Sequence, residues 1–148
     1  MYKHLLVATD GSELATRALA HGAALAKALG AQLTVAAVTD PWPVLEMAQK
    51  AQEKKPDPIG AYEKHAAEWA QGVLTQARST VEAAGGRCQT IHVQDKHPSE
   101  GILDTAKELA CDAIVMSTHG RRGLRRVVLG SQASDVIANA TVPVIIVK

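Results

Sequence analysis

The sequence predicts an α/β protein built on one open sheet of five strands that alternate with helices. Three observations carry this. Short apolar runs of strand length alternate along the chain with longer stretches of helical periodicity. The opening stretch reads as strand, capped helix, glycine stop and second apolar run, a βαβ unit whose strands are parallel and whose crossover is right-handed. The length, 148 residues and 15.6 kDa, suits a single core, so 1–148 is read as one domain.

The elements follow in order. Residues 3–9 form a buried strand that stops at Asp10-Gly11-Ser12. Ser12 is the expected N-cap of a first helix with Leu14, Ala18, Leu25 and Leu29 on one face, and Gly30 stands at its C-terminal stop. Residues 33–38 make the second strand. The pattern then breaks: Pro41, Pro43, Pro56 and Pro58 bracket a segment with weak periodicity, so 41–60 is expected to be a mobile surface excursion holding at most a short helix at 44–55. A longer helix over about 61–84 ends at Gly85-Gly86, and Gln89–Val93 alternates as the third strand. Pro98-Ser99-Glu100 starts a helix whose inward stripe is Ile102, Leu103, Ala106 and Leu109. Ala113–Ser117 is the fourth strand, Ser131–Asn139 a last helix and Val144–Val147 the fifth strand.

Composition removes several function classes. The chain is 47% hydrophobic and 21% charged, which is globular. No apolar run approaches the ~18 residues of a membrane span, so no membrane partner is expected. A charge interrupts the N-terminus before a signal-peptide core could form, which makes the cytoplasm the expected compartment. Aromatics are limited to Tyr2, Trp42, Tyr62 and Trp69, too few for base-stacking recognition of single strands. Cys88, Cys111 and the six histidines show no metal-ligand spacing, so no metal site of protein ligands alone is expected.

Net charge is only +1, but residues 117–131 hold four arginines and no acid while every other stretch is near balance or acidic. One short basic stretch fits a local anion site better than a nucleic-acid surface. In open α/β sheets ligands bind beyond the carboxyl ends of the strands, so the loops beginning at Asp10, Thr39 and Ser117 are the ones of interest. The last suits phosphate. Its glycines let backbone N–H groups approach an anion, and Gly130-Ser131 opens a helix N-terminus. A solvated basic loop with glycines as turns is the competing reading. A P-loop is rejected for want of its lysine motif, and a single Gly11 after the first strand rejects the dinucleotide fingerprint.

The stretch resembles the nucleotide signature of the universal stress protein family, Gly-x2-Gly-x9-Gly-[Ser/Thr]. Gly120 and Gly130-Ser131 match, residues 121–129 form the nine-residue spacer, and Ser117, also small, stands at the first glycine. The opening Leu-Leu-Val-Ala-Thr-Asp-Gly-Ser and the closing Val-Pro-Val-Ile-Ile-Val-Lys extend the resemblance over the chain. It implies a doubly wound, Rossmann-like parallel sheet of order 3-2-1-4-5 with helices on both faces, and ATP, with Mg2+ or Mn2+, as ligand. By matching position Ala8, Thr9, Asp10 and Val38 border adenine and ribose, and Met116 and Ser117 line the floor. His119, Gly120, Arg121 and Arg122 lie along the phosphates with Gly130, Ser131, Gln132 and Ala133 at the helix start. Read from the residues alone, Asp10 is either a ribose acceptor or a helix N-cap, and His119 either donates to phosphate or packs against the loop. Arg125 and Arg126 read as a solvated face.

Three functions stay open: an ATP-binding regulatory or stress-response dimer with little or slow hydrolysis, an ATP-hydrolysing or nucleotidyl-transferring enzyme, and a partner-binding dimer without nucleotide. The first is favoured, because residues 117–131 contain no Asp or Glu to act as general base. Two structural expectations follow from the strand order. Cys88 and Cys111 flank strands three positions apart, roughly 14 Å at ~4.8 Å per strand, beyond the ~7 Å of a disulfide. Val144–Val147 is an edge run of four β-branched residues with no later segment to cover it, so a homodimer through this strand is expected.

Overall fold

The computed structural model describes residues 1–119 and 129–148. Ten elements follow one another in these residues: β1 (His4–Ala8), α1 (Glu13–Leu29), β2 (Gln32–Val38), α2 (Val44–Gln52), α3 (Pro58–Ala83), β3 (Gln89–Val93), α4 (Pro98–Glu108), β4 (Ala113–Ser117), α5 (Ser131–Asn139) and β5 (Val144–Val147). The strands form one sheet of order β3-β2-β1-β4-β5, and every pairing is parallel. Successive strands are added outward on one side of β1 through β3 and on the other side from β4, so the strand order reverses between β1 and β4 and that junction is the switch point.

Strand periodicity of two distributes the core. Leu5, Val7, Leu33, Val35, Ala113 and Val115 face one side and pack with α1 and α3 residues such as Leu19 and Leu74. Leu6, Ala36, Ile114 and Met116 face the other and pack with Ile102 and Ala106 of α4 and Ala133 and Val136 of α5. The central strands β1 and β4 are therefore apolar on both faces, as a sheet covered by two helical layers requires.

The helix starts show why these segments fold where they do. Ser12 caps α1 as expected, accepting from the Ala15 N–H at 3.2 Å, and Gly30 closes the helix in the left-handed conformation at φ 64°. The inward face of α1 differs from the expected stripe. Ala15, Ala18, Leu19, Gly22, Ala23 and Ala26 are buried, whereas Leu29 is 41% exposed and Leu14 and Leu25 are only half-buried. The buried face is turned by about 80° from the leucine stripe at 100° per residue. Small residues explain this: a Cβ on Gly22 would lie 2.5 Å from Val7 Cγ2, so the alanine-and-glycine face seats α1 closer to the sheet than leucines permit.

The proline-bracketed segment contains α2, anchored through buried Met47, and α2 packs on α3. The long helix starts three residues earlier than the periodicity suggests, at Pro58, because the Asp57 side chain caps it by accepting from Gly60 N–H at 3.1 Å. Cys88 and Cys111 are free thiols.

Candidate functional site

The carboxyl ends of β1, β2 and β4 each continue into a buried threonine that extends the ladder by one bond. Thr9 N–H donates to the Ala36 carbonyl at 2.9 Å, Thr39 N–H to Val93 at 2.9 Å and Thr118 N–H to Val147 at 3.3 Å. The rim of the sheet is thereby held rigid where the loops leave it.

After β1, two side chains fold the turn. Thr9 Oγ1 accepts from Gly11 N–H at 3.2 Å and Asp10 Oδ1 from Ser12 N–H at 3.0 Å. Gly11 takes φ 78°, a left-handed conformation that glycine adopts without strain. Asp10 is thus not the N-cap of α1. Ser12 fills that position, and the Asp10 carboxylate is held at the rim of the switch point. After β2, Thr39 Oγ1 and His92 Nε2 are 2.8 Å apart, and Tyr62 donates to the Asp40 carbonyl at 3.0 Å.

After β4, Ser117 donates its hydroxyl to the His119 carbonyl at 2.8 Å, and His119 Nδ1 lies 3.0 Å from Thr118 Oγ1. The other ring nitrogen, Nε2, is buried and has no hydrogen-bond partner among the described residues. Such an atom carries a desolvation cost until a partner reaches it. Gly130 stands beside this ring: its N–H donates to the Thr118 carbonyl at 2.8 Å, and it is the N-cap of α5 with no capping side chain. The first helical bond is made by Ser134 N–H to Gly130 O at 2.9 Å. The N–H groups of Ser131, Gln132 and Ala133 therefore form an uncapped, partially positive helix start.

The expected ligand residues divide by what surrounds them. Ala8 and Val38 lie at strand ends on the α4/α5 side of the sheet, Met116 is buried there, and Ser117 follows it. Ala133 is buried at 2% exposure in the same core, so only its backbone faces the helix start. Gln132 turns away from the rim: its Oε1 accepts from Ser99 N–H at 2.9 Å, capping α4, whose N-cap His97 makes no side-chain cap bond. Ser131 is exposed. Gly120, Arg121, Arg122, Arg125 and Arg126 lie outside the described residues.

A cleft of about 210 Å³ runs between α1 and α3, reaching Thr9 and Gly11 but otherwise lined by residues such as Leu19, Val73 and Ala77. It lies on the opposite side of the sheet from Ala8, Val38 and Met116. It is also below the ~300 Å³ at which small-molecule sites begin. Among the described residues no group of three His, Cys, Asp or Glu side chains is placed to hold a metal ion, and no described helix is long and apolar enough to cross a membrane.

Fold and site together define a doubly wound α/β protein with an uncapped helix start at its switch point. The family model of the universal stress protein family matches residues 1–148, and the chain belongs to that family. A universal stress protein of Thermus aquaticus is 34% identical over 153 residues, covering 100% of both chains. Among solved structures, universal stress protein UspA of Lactobacillus plantarum superposes with a TM-score of 0.81 at 26% identity, over 99% of this chain and 98% of that one. A universal stress protein of Archaeoglobus fulgidus in complex with dAMP superposes with a TM-score of 0.70 at 27% identity, over 99% and 98%.

Proposed function

We propose that this protein binds ATP at the switch point of its sheet and acts as a nucleotide-dependent regulatory protein with little or slow hydrolysis. The observation that carries this is the uncapped, glycine-started N-terminus of α5 beside the buried Nε2 of His119, which has no partner among the described residues. A phosphate there would satisfy both the orphan N–H groups and the imidazole. The dAMP complex of the Archaeoglobus fulgidus relative supports an adenine nucleotide as the class of ligand. Ala8 and Val38 would border the base, Asp10 would accept from ribose hydroxyls, and Ser131 would donate to phosphate alongside Gly120, Arg121 and Arg122. Mg2+ or Mn2+, where it accompanies the nucleotide, would take its oxygen ligands mainly from phosphate and water.

Binding without fast turnover is favoured by the residues near the helix start. Residues 117–131 supply donors but no carboxylate, and Asp10 is engaged in its own turn. Among the described residues at the helix start, no carboxylate stands ready as general base for an attacking water.

Thermal-shift and calorimetric titrations with ATP, AMP and GTP, with and without magnesium, test the reading alongside a phosphate-release assay. ATP should stabilise the protein with phosphate release near background. Ser131→Asp supplies the decisive variant. Acid in the first turn favours the helix itself and Ser131 is exposed, so the fold should stand while ATP affinity falls by at least about tenfold, ~1.4 kcal/mol. Unaltered ATP affinity in this variant would reject the site, and release at many turnovers per minute would reject the binding-only function.

A further inference from the structure

A second groove lies at the far edge of the molecule, between α3 and β3. It has a volume of about 310 Å³ and is lined by Ala67, Gln71, Leu74, Thr75 and Arg78 of α3 and by Thr90 and His92 of β3. Three features distinguish it. First, β3 ends the sheet, with β2 as its only strand neighbour among the described residues. The Val93 carbonyl turns inward to Thr39 N–H, so by strand alternation Thr90 and His92 direct their backbone N–H and C=O groups outward. Second, the walls match in length. Ala67 to Arg78 rises ~16 Å along the helix, and the five residues of β3 span ~17 Å. Third, the groove contains one cation and no acid. Arg78 is held across it by donating to Thr90 Oγ1 at 2.8 Å, and among the described residues no carboxylate forms an ion pair with it.

The geometry points to this groove as an acceptor for an extended peptide of about five residues carrying a carboxylate, which adds as a strand outside β3 and pairs its acid with Arg78. The outward backbone groups of Thr90 and His92 supply ladder bonds. Leu74 and Ala67 take an apolar side chain, and the guanidinium selects an acid through charge-assisted hydrogen bonds. This surface is separate from the helix start of α5, so it serves a protein partner whether or not nucleotide is bound.

The test uses the full chain and a fluorescein-labelled pentapeptide of alternating threonine and valine that ends in glutamate, with a glutamine-amide twin. The acidic peptide should bind at least about tenfold more tightly than its twin, and amide chemical-shift changes should centre on Thr90, His92 and Gln71. Arg78→Gln should erase the difference between the peptides. Thr75→Trp, on the exposed wall of α3, should block both, with circular dichroism and melting temperature unchanged in each variant. Equal affinity for the two peptides, binding unaffected by either variant, or shifts elsewhere would overturn the proposal. So would sodium glutamate competing as well as the peptide, which would make the groove an anion site only. A dimer that survives Ile146→Pro but is broken by Thr75→Trp in sedimentation would place a second copy on β3 and overturn it as well.

Discussion

Gly130 illustrates how one residue can be required for two reasons. A glycine at a helix start invites the argument that a phosphate must approach closely, but a Cβ at this position would already meet the Thr118 carbonyl oxygen at 2.7 Å. Replacing Gly130 would move the β4–α5 junction before any ligand arrived, which is why Ser131→Asp is the cleaner probe. The two thiols differ by environment. Burial, reinforced by Asp112, pushes Cys111 up to about 11. Burial also raises Cys88, but the neighbouring Arg78 guanidinium opposes it. Iodoacetamide at pH 8 should therefore modify Cys88 well before Cys111, which is 4% exposed, and two thiols should titrate in denatured, non-reduced protein. His92 carries a pH dependence of known sign. Burial lowers its pKa, so the unfolded chain takes up a proton first as the medium is acidified. Stability conferred by the neutral ring is complete above the unfolded value of about 6.5 and is lost as pH falls from there through the lowered folded value. Urea titrations should show wild type losing more stability than His92→Gln between pH 7 and 5.5. Equal slopes would contradict this.

At the scale of elements, the bond from Ser99 N–H to Gln132 Oε1 joins the starts of α4 and α5. One residue thus serves as cap for a neighbouring helix while its own backbone belongs to the uncapped start of α5. Gln132→Leu should cost roughly 1 kcal/mol, as loss of an N-cap acceptor does. It should lower ATP affinity less than Ser131→Asp does, since its amide points at α4; denaturant unfolding and calorimetry read the two effects separately. An equal or larger affinity loss would return Gln132 to the ligand side. Close approach sets a second element-scale rule. Gly22 against Val7, and Gly101, whose Cβ would lie 2.7 Å from Val38 Cγ1, let α1 and α4 press onto opposite faces of the sheet.

At the scale of the molecule, the sheet has two edges of different character. β5 is four half-buried β-branched residues with β4 as its only strand neighbour among the described residues. The carbonyls of Pro143 and Val147 turn inward to Ile114 and Thr118, so Ile146 directs its N–H outward. α2 packs on α3. We propose that a second copy pairs with β5 about a two-fold axis. Ile146→Pro removes an outward donor without touching the ladder to β4, so it should convert dimer to monomer in sedimentation velocity with little change in melting temperature. A wild-type monomer at micromolar concentration would refute the dimer.

Patterning within one element was enough to determine much of this protein. The strands Gln89–Val93, Ala113–Ser117 and Val144–Val147 and the helix Ser131–Asn139 coincide with their sequence-read spans, because apolar runs bounded by glycine, proline or a cap have one local solution. The resemblance supplied the strand order, and Gly130-Ser131 at a helix start was legible as a motif. Tertiary structure decided what depended on distant partners. The leucine stripe of α1 lost to an alanine-and-glycine face because only the sheet determines how closely a helix can approach. Gln132 turned to Ser99, 33 residues away, and His119 kept one nitrogen without a partner among the described residues. The Arg78 groove exists only because α3 lies along β3. Spacing records which side chains share a face, but which atoms are left without partners is known only once the faces have met.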